Sequence, residues 1–267
     1  MRRVTDRTLA GVLAERWHAE ALAAGPKPTA LNTRFRHSDA LGCERAIALT
    51  ALGVPKQDMD EVSHWVTGLG TKIHEWWQDA VLQVIDGGEI EVKVQSFKDG
   101  SGHVDLLITD ANGYVIAYEL KSGGGTKFRQ VAKKGPTASN VAQDALNGYG
   151  ANADEIRIGY IATEAIGLNK GYHGLDRMTA EYVLSRAEYE PVALKEIARV
   201  SNIMADVDAG IVPDRLFPDD TRPGWPAKRV DPHTAVWPCQ YCQHRDTCIR
   251  LGAGPQSVDK LKENASV

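Results

Sequence analysis

From Asp60 to Ile85 the apolar residues Val62, Trp65, Val66, Leu69, Ile73, Trp77, Ala80, Val81 and Val84 recur three and four positions apart. That spacing gathers side chains on one side of an α-helix, so it predicts a helix with one buried face, and His74 rides on it. The period then shortens to two. Glu89 to Gln95, Gly102 to Asp110 and Tyr114 to Lys121 alternate as strands do, and together they predict a meander. A helix is expected from about Ser139 to Tyr149. A strand follows from Glu155 to Ala162, where Ile156, Ile158 and Tyr160 alternate with polar or small residues. Helical sequence runs from about Thr179 to Asp208, with Pro191 a break or kink. Upstream, Ser38 and Asp39 are placed to cap a short helix that carries Cys43 and runs to about Leu52, before Gly53 and Pro55 stop it. Residues 1 to 36 read as an N-terminal arm broken at Gly25-Pro26-Lys27-Pro28, and the tail from Pro213 is rich in proline and charge. The sum is an α/β chain of the α+β kind: a central mixed sheet flanked by helices.

Composition narrows the function classes. At 267 residues, 43% hydrophobic and 25% charged, the chain suits one large globular domain or two small ones. No apolar run approaches the roughly 18 to 20 residues of a membrane span, and none follows the basic start at Met1-Arg2-Arg3. A cytoplasmic protein with no membrane partner is expected. With 31 basic against 35 acidic residues, the net charge is -4, so any contact with nucleic acid must come from a local patch. The stretch from Gly123-Gly124-Gly125 to Thr137 offers one. It carries Lys127, Arg129, Lys133 and Lys134 and reads as a mobile basic loop suited to phosphate backbones.

The densest chemistry lies in Gly102-His103-Val104-Asp105 and Glu119-Leu120-Lys121, on runs joined by a turn at Asn112-Gly113. A two-residue turn would set Asp105 against Leu120 and send Glu119 to the opposite side of the sheet. A three-residue loop, Ala111-Asn112-Gly113 with Gly113 left-handed, instead pairs Asp110 with Tyr114 and so brings Asp105 opposite Glu119. Then Val104, Leu106, Ile108, Ile116, Tyr118 and Leu120 share an apolar face, while Asp105, Glu119 and Lys121 share the other. Two adjacent carboxylates repel unless a divalent cation neutralises them, and their hard oxygens suit magnesium or manganese. Lys121 stands where it can hold an attacking water or meet charge building on a phosphate. A solvent-facing hairpin with ordinary charges is the plainer reading of the same string.

The order GxxD then ExK on neighbouring strands resembles the PD-(D/E)XK nuclease superfamily, and its surroundings look like the RecB-like branch. Gly70-Thr71-Lys72-Ile73-His74 matches that branch's upstream GxxxH pattern. The resemblance implies that His74, Asp105, Glu119 and the main-chain carbonyl of Leu120 are metal ligands and that Asp105, Glu119 and Lys121 are catalytic. The family's QxxxY motif is met at Gln143, but Asn147 stands at the tyrosine position. The nearest tyrosine, Tyr149, lies about 240° around the helix from Gln143.

The four cysteines extend the resemblance. Cys239, Cys242 and Cys248 follow the nuclease motifs, and Cys43 precedes them. This one-plus-three order resembles the iron-sulfur staple of AddB-type and CRISPR-associated Cas-four nucleases, and Ser38, Cys43 and Arg45 look like the start of their N-terminal pattern. The resemblance implies a 4Fe-4S cluster that ties the N-terminal helix to the C-terminal tail. Residues 1–55 with 210–251 would form the cluster lobe and 60–208 the nuclease core of a single nuclease domain, 1–267. A zinc ion held by the three C-terminal cysteines and a histidine such as His244 is the alternative.

No GxxxxGK[ST] string occurs, so a stand-alone enzyme is expected. The function implied is exonucleolytic hydrolysis of DNA, with preference for single strands, in a phage, CRISPR or recombination setting. Single-stranded DNA or duplex ends are the expected partner, with room for a homo-oligomer or for partners in an integration complex. The competing class is a poorly catalytic DNA-binding accessory protein of CRISPR spacer acquisition. Trp65, Trp76 and Trp77 suit core packing better than base stacking, given their helical spacing.

Overall fold

The computed structural model describes residues 33–58, 61–83, 85, 87–163, 179–214 and 242–265, with the isolated positions 19 and 23. The N-terminal arm therefore lies almost wholly outside the described residues, and so does Cys239. Strand β1 is Phe35–Arg36, followed by a 3-10 turn at His37–Asp39, helix α1 at Glu44–Ala51 and helix α2 at Glu61–Leu82. The meander follows as β2 (Gly88–Phe97), β3 (Gly100–Thr109) and β4 (Val115–Gly123). Then come α3 (Gly125–Lys134), α4 (Ala138–Gly150), β5 (Glu155–Ala162), β6 (Thr179–Ser185) and α5 (Arg186–Asp208). A small terminal unit holds β7 (Ile211–Val212), α6 (Arg245–Leu251), β8 (Gln256–Ser257) and α7 (Val258–Ala265). No helix among the described residues is long and apolar enough to cross a membrane.

The central sheet is mixed, as expected, and helices flank it. Along β1-β3-β4-β5-β6, the β3–β4 and β5–β6 pairs are antiparallel and β1–β3 and β4–β5 parallel, while β2 joins β3 antiparallel. Ala142, Ala145 and Leu146 of α4, with Ile156, Tyr189, Val200 and Ile203, build the main core on one face of this sheet. Phe128, Val131, Ile158 and Tyr160 build a smaller one beside it.

At the hairpin the three-residue loop is present. Asp110 N–H donates to Tyr114 O at 3.0 Å, Gly113 has φ 82°, and the ladder pairs Leu106 with Tyr118 through Thr109 with Val115. The Asp110 carboxylate closes the loop by accepting from the N–H groups of Asn112 and Tyr114, both at 2.8 Å. Because Gly113 is left-handed, Gly113→Val is expected to destabilise the fold by about 1–2 kcal/mol. Urea denaturation tests this; an unchanged midpoint would contradict it.

Face alternation departs from expectation at one point. Val104 packs in the main core with Leu107 and Ala117, whereas Leu106 lies under α2, against the space beside Gly88 with Ile85 and Leu82. Strict alternation therefore slips between residues 104 and 107. Glu91, which stands between the pairs Ile90–Leu106 and Val92–Val104 and so opposite Asp105, has φ 51° and marks the slip. Irregularities of this kind bend a strand and re-aim a side chain.

Four further expectations need correction. The basic stretch is helix α3, not a loop, because Phe128 and Val131, one turn apart, bury against Ile158 and Tyr160 while the cations face outward. Thr179 to Ser185 is strand, not helix: Ala180, Tyr182 and Leu184 alternate toward the core. Pro191 does not end the helix: it lies inside α5, which runs from Arg186 to Asp208 and is capped at its start by Glu188, accepting from Ser185 N–H and Oγ–H. Upstream, Cys43 rather than Ser38 or Asp39 stands at the N-cap of the short helix.

The N-terminal and C-terminal segments are clasped by Arg45, whose side chain is fully buried. Its guanidinium donates to Pro213 O at 2.7 Å, to Gly252 O at 2.6 Å and to Gly254 O, and touches Cys248 Sγ at 3.8 Å. Gln57 N–H donates to Gln243 O at 2.8 Å, and Thr50 Oγ1 meets His244 Nε2 at 2.9 Å.

Candidate active site

The β3–β4 ladder stops at Leu106–Tyr118, so Asp105 and Glu119 face each other just where the two strands part. Both are buried, at 7% and 6% exposure, although both are carboxylates. Asp105 Oδ2 accepts from Leu120 N–H at 2.7 Å, and His74 Nδ1 lies 3.6 Å from the same oxygen. Helix α2 delivers His74 from one side of the sheet, and Trp77, three residues on, anchors that helix by stacking on Tyr118 with ring centroids 5.1 Å apart. A Cβ at Gly70 would stand 3.8 Å from Ser122 Oγ, an ordinary contact, so α2 passes close over the end of β4 there.

From the other side, α4 supplies three polar residues. Gln143 Nε2 donates to Glu119 Oε1 at 2.8 Å, and Asn147 Nδ2 to Glu119 Oε2 at 3.1 Å. Lys121 Nζ donates to Glu119 Oε1 at 2.6 Å and to Gln143 Oε1 at 3.0 Å, and lies 3.9 Å from Asp144 Oδ1. The predicted group of His74, Asp105, Glu119, Leu120, Lys121 and Gln143 is thus assembled in one place. Tyr149 is not part of it and packs against the main core. Two members went unpredicted: Asn147, one turn beyond Gln143, and Asp144. The four-residue spacing of Gln143 and Asn147 on a helix was the available signal.

Electrostatically the site is rich in carboxylates and largely buried. Burial, with repulsion from Asp105, pushes Glu119 up to about 7 against the pull of Lys121. Asp144, 2% exposed with neither carboxylate oxygen hydrogen-bonded, is driven well above the ordinary carboxylate range by burial and then by the charge of Glu119. Burial opposes the charge on Lys121, but Glu119 and Asp144 outweigh it and hold the ammonium above its usual range. The Asp105 carboxylate beside it raises His74 against the effect of burial. Three carboxylates therefore crowd around one ammonium, a donor set that a divalent cation fits chemically. Among the described residues no three histidine, cysteine, aspartate or glutamate side chains already stand at ligand spacing.

A carboxylic acid whose pKa is raised by folding opposes folding as pH rises above its unfolded value. Asp144→Asn is therefore expected to melt higher than the wild type at pH 8 without divalent cations, with the difference closing toward pH 4. Thermal melts across that range test the sign, and a difference that grows toward acid would contradict it.

Away from this centre, Lys127, Arg129, Lys133 and Lys134 are exposed on α3. The stem of Lys127 lies over Gly123, so this one cation stands next to the end of β4 that carries Lys121. Near the clasp, burial pushes the Cys242 thiol up. His244 hydrogen-bonds to it through the backbone, and Cys43 and Cys248 lie close enough to act on it electrostatically.

No family model matches the chain, and no curated protein matches it in sequence. Solved structures do resemble it. The crystal structure of SSO0001 aligns with 91% of this chain and 96% of its own at a TM-score of 0.51 and 15% identity. The two share a fold. An alkaline exonuclease (LHK-Exo) from Laribacter hongkongensis aligns at a TM-score of 0.49 and 13% identity, over 73% of this chain and 93% of that one. A phage-related exonuclease from Haemophilus somnus 129PT aligns at 0.42 and 12%, over 72% and 86%.

Proposed function

We propose that this chain is a divalent-cation-dependent deoxyribonuclease of the PD-(D/E)XK kind, acting as an exonuclease with a preference for single strands. The observation that carries this reading is the convergence of Asp105, Glu119 and Lys121 where β3 and β4 part, in the register set by the loop at residues 111–113. His74, Asp105, Glu119 and the Leu120 carbonyl would hold magnesium or manganese, which would polarise a phosphodiester and make a water more acidic. Asp105 is oriented by the Leu120 N–H, and Glu119 by Gln143 and Asn147. Lys121, now donating to Glu119, turns its ammonium toward the attacking water or the scissile phosphate once Glu119 is engaged elsewhere. Exposed cations on α3 guide the strand to the centre.

The cysteines fit a second, structural group. Cys43 at the cap of α1, Cys242 and Cys248 lie in the region of the Arg45 clasp, and with Cys239, outside the described residues, they would supply the four thiolates of a 4Fe-4S cluster, although no three of the described ligand side chains stand at metal-binding spacing. Protein purified without oxygen should then be brown and keep its colour against chelators, and Cys43→Ser should lose it. A colourless protein with one zinc per chain would favour zinc instead.

The nuclease reading is tested with end-labelled single-stranded and duplex DNA, with magnesium, manganese or neither. Wild type should shorten the labelled strand only with a cation, faster on single strands, and Asp105→Asn should not. A wild type that leaves every substrate intact sinks the reading.

A further inference from the structure

Behind Asn147, which orients Glu119, stand side chains with no part in the proposed chemistry. Asn147 Nδ2 donates to Glu119 Oε2 at 3.1 Å and also to the carbonyl oxygen of His103 at 2.8 Å. Two oxygen acceptors define that end of the amide as the NH2 group, so Oδ1 must accept. Its partner is His37 Nδ1 at 2.7 Å, which must therefore carry a hydrogen. In a neutral ring Nε2 then accepts, and Ser96 Oγ, 2.7 Å away, donates to it. One tautomer satisfies the whole chain: Ser96 to His37 to Asn147 to Glu119.

The surroundings are built for this chain. His37 is 1% exposed, and burial holds its ring at about 4, so it stays uncharged. A Cβ at Gly102 would overlap both Asn147 Oδ1 and His37 Nδ1, so the glycine three residues before Asp105 leaves the space in which they meet. His37 opens the 3-10 turn of the segment that leads to Cys43 and α1, and Leu41 N–H in that segment is pinned to Glu196 Oε1 of α5 at 2.8 Å. The anchor is thus fixed to the body of the fold.

We propose that His37 is a positioning residue for Glu119, acting through Asn147. Its Nδ1–H satisfies Asn147 Oδ1 and so holds the amide against Glu119 and His103. Without that donor Oδ1 is buried without a partner, and the Asn147 side chain shifts to recover one, which loosens the hydrogen bond that holds Glu119 in the orientation the cation needs. The proposal rests on the nuclease reading above.

The test compares His37→Leu, which keeps apolar bulk and loses the donor, with His37→Asn, which is smaller and keeps an N–H near the Nδ1 position. His37→Leu should lose about 10–100-fold in kcat with KM for DNA unchanged, and Mn2+ affinity, titrated by electron paramagnetic resonance without DNA, should weaken. His37→Asn should recover most of both. A packing role predicts the reverse order, with leucine the better replacement, and that order or a fully active His37→Leu would overturn the proposal. If His37→Leu does not fold, the wild-type ring decides: its nitrogen-15 shifts should report the neutral Nδ1–H form, and an Nε2–H ring would overturn it. A wild type that neither binds Mn2+ nor cuts DNA removes the nuclease reading and this role with it. A wild type that does both alongside an unaffected His37→Leu removes only this role.

Discussion

Glu119→Gln is expected to lower cation-dependent DNA hydrolysis by at least about a thousandfold, the scale reached when a centrally placed electrostatic group is lost. The substitution keeps shape. The carbonyl oxygen of the new amide can still accept a hydrogen bond from α4, where Asn147 and Gln143 now hold the carboxylate, so the packing around that helix should persist. What disappears is one anionic oxygen pair facing Asp105, and with it the charge that offsets a divalent cation. Because Glu119 is buried and raised to about 7, it is only partly ionised at neutral pH when no cation is bound, and a glutamine mimics its protonated fraction. The variant should therefore melt no lower than the wild type at neutral pH without cations. Activity on end-labelled DNA and a thermal melt check both halves; comparable cutting by the variant would contradict the role assigned to Glu119.

Arg45→Ala should produce the largest loss of stability, about 2–4 kcal/mol. The buried guanidinium satisfies the carbonyls of Pro213, Gly252 and Gly254 together, and alanine would leave the buried Pro213 carbonyl without a partner, take a donor from the half-buried carbonyls of Gly252 and Gly254, and empty the space that the side chain fills. For a domain of this size each kcal/mol is about 2–4 °C in Tm, so a fall of roughly 10 °C is expected. Limited proteolysis should also cut the segment after α5 sooner. Arg45→Lys should rescue little, since one compact ammonium cannot reach acceptors that are spread around the guanidinium at Nε, Nη1 and Nη2. A melting curve for Arg45→Lys that overlays the wild type would show that the clasp lies elsewhere.

The hairpin was legible because two independent constraints coincide on one register: apolar alternation, and the need to bring two carboxylates and a lysine together. The slip at Glu91 was not, since a positive φ at a glutamate leaves no mark on hydrophobic spacing. Helix α2 shows the limit of periodicity most clearly. The spacing predicts one buried face, with Trp65 and Trp76 packed in the core, yet Trp65, Val66, Leu69 and Trp76 are exposed among the described residues, because spacing aligns side chains without saying what covers them. In α3 the run of cations masked Phe128 and Val131, two residues that suffice to seat a short helix.

Within the site, Asp105, Glu119, Lys121, His74 and Gln143 were found through motif order. Asp144, Asn147 and His37 are single polar residues whose importance comes from burial and partners, which sequence does not display. In the sequence Arg45 stands out only as part of a pattern around Cys43. Its contacts with residues 213 to 254 are set by the fold's closure, far along the chain.

The measurement that tests the account most directly is an anomalous difference map from crystals grown with manganese. The account predicts one strong peak between Asp105 and Glu119, about 2.0–2.2 Å from a carboxylate oxygen of each, as a small hard cation requires, and accompanied by displacement of Lys121 Nζ from Glu119. No peak at saturating manganese, or a peak that leaves Asp105 and Glu119 unbound, would contradict it.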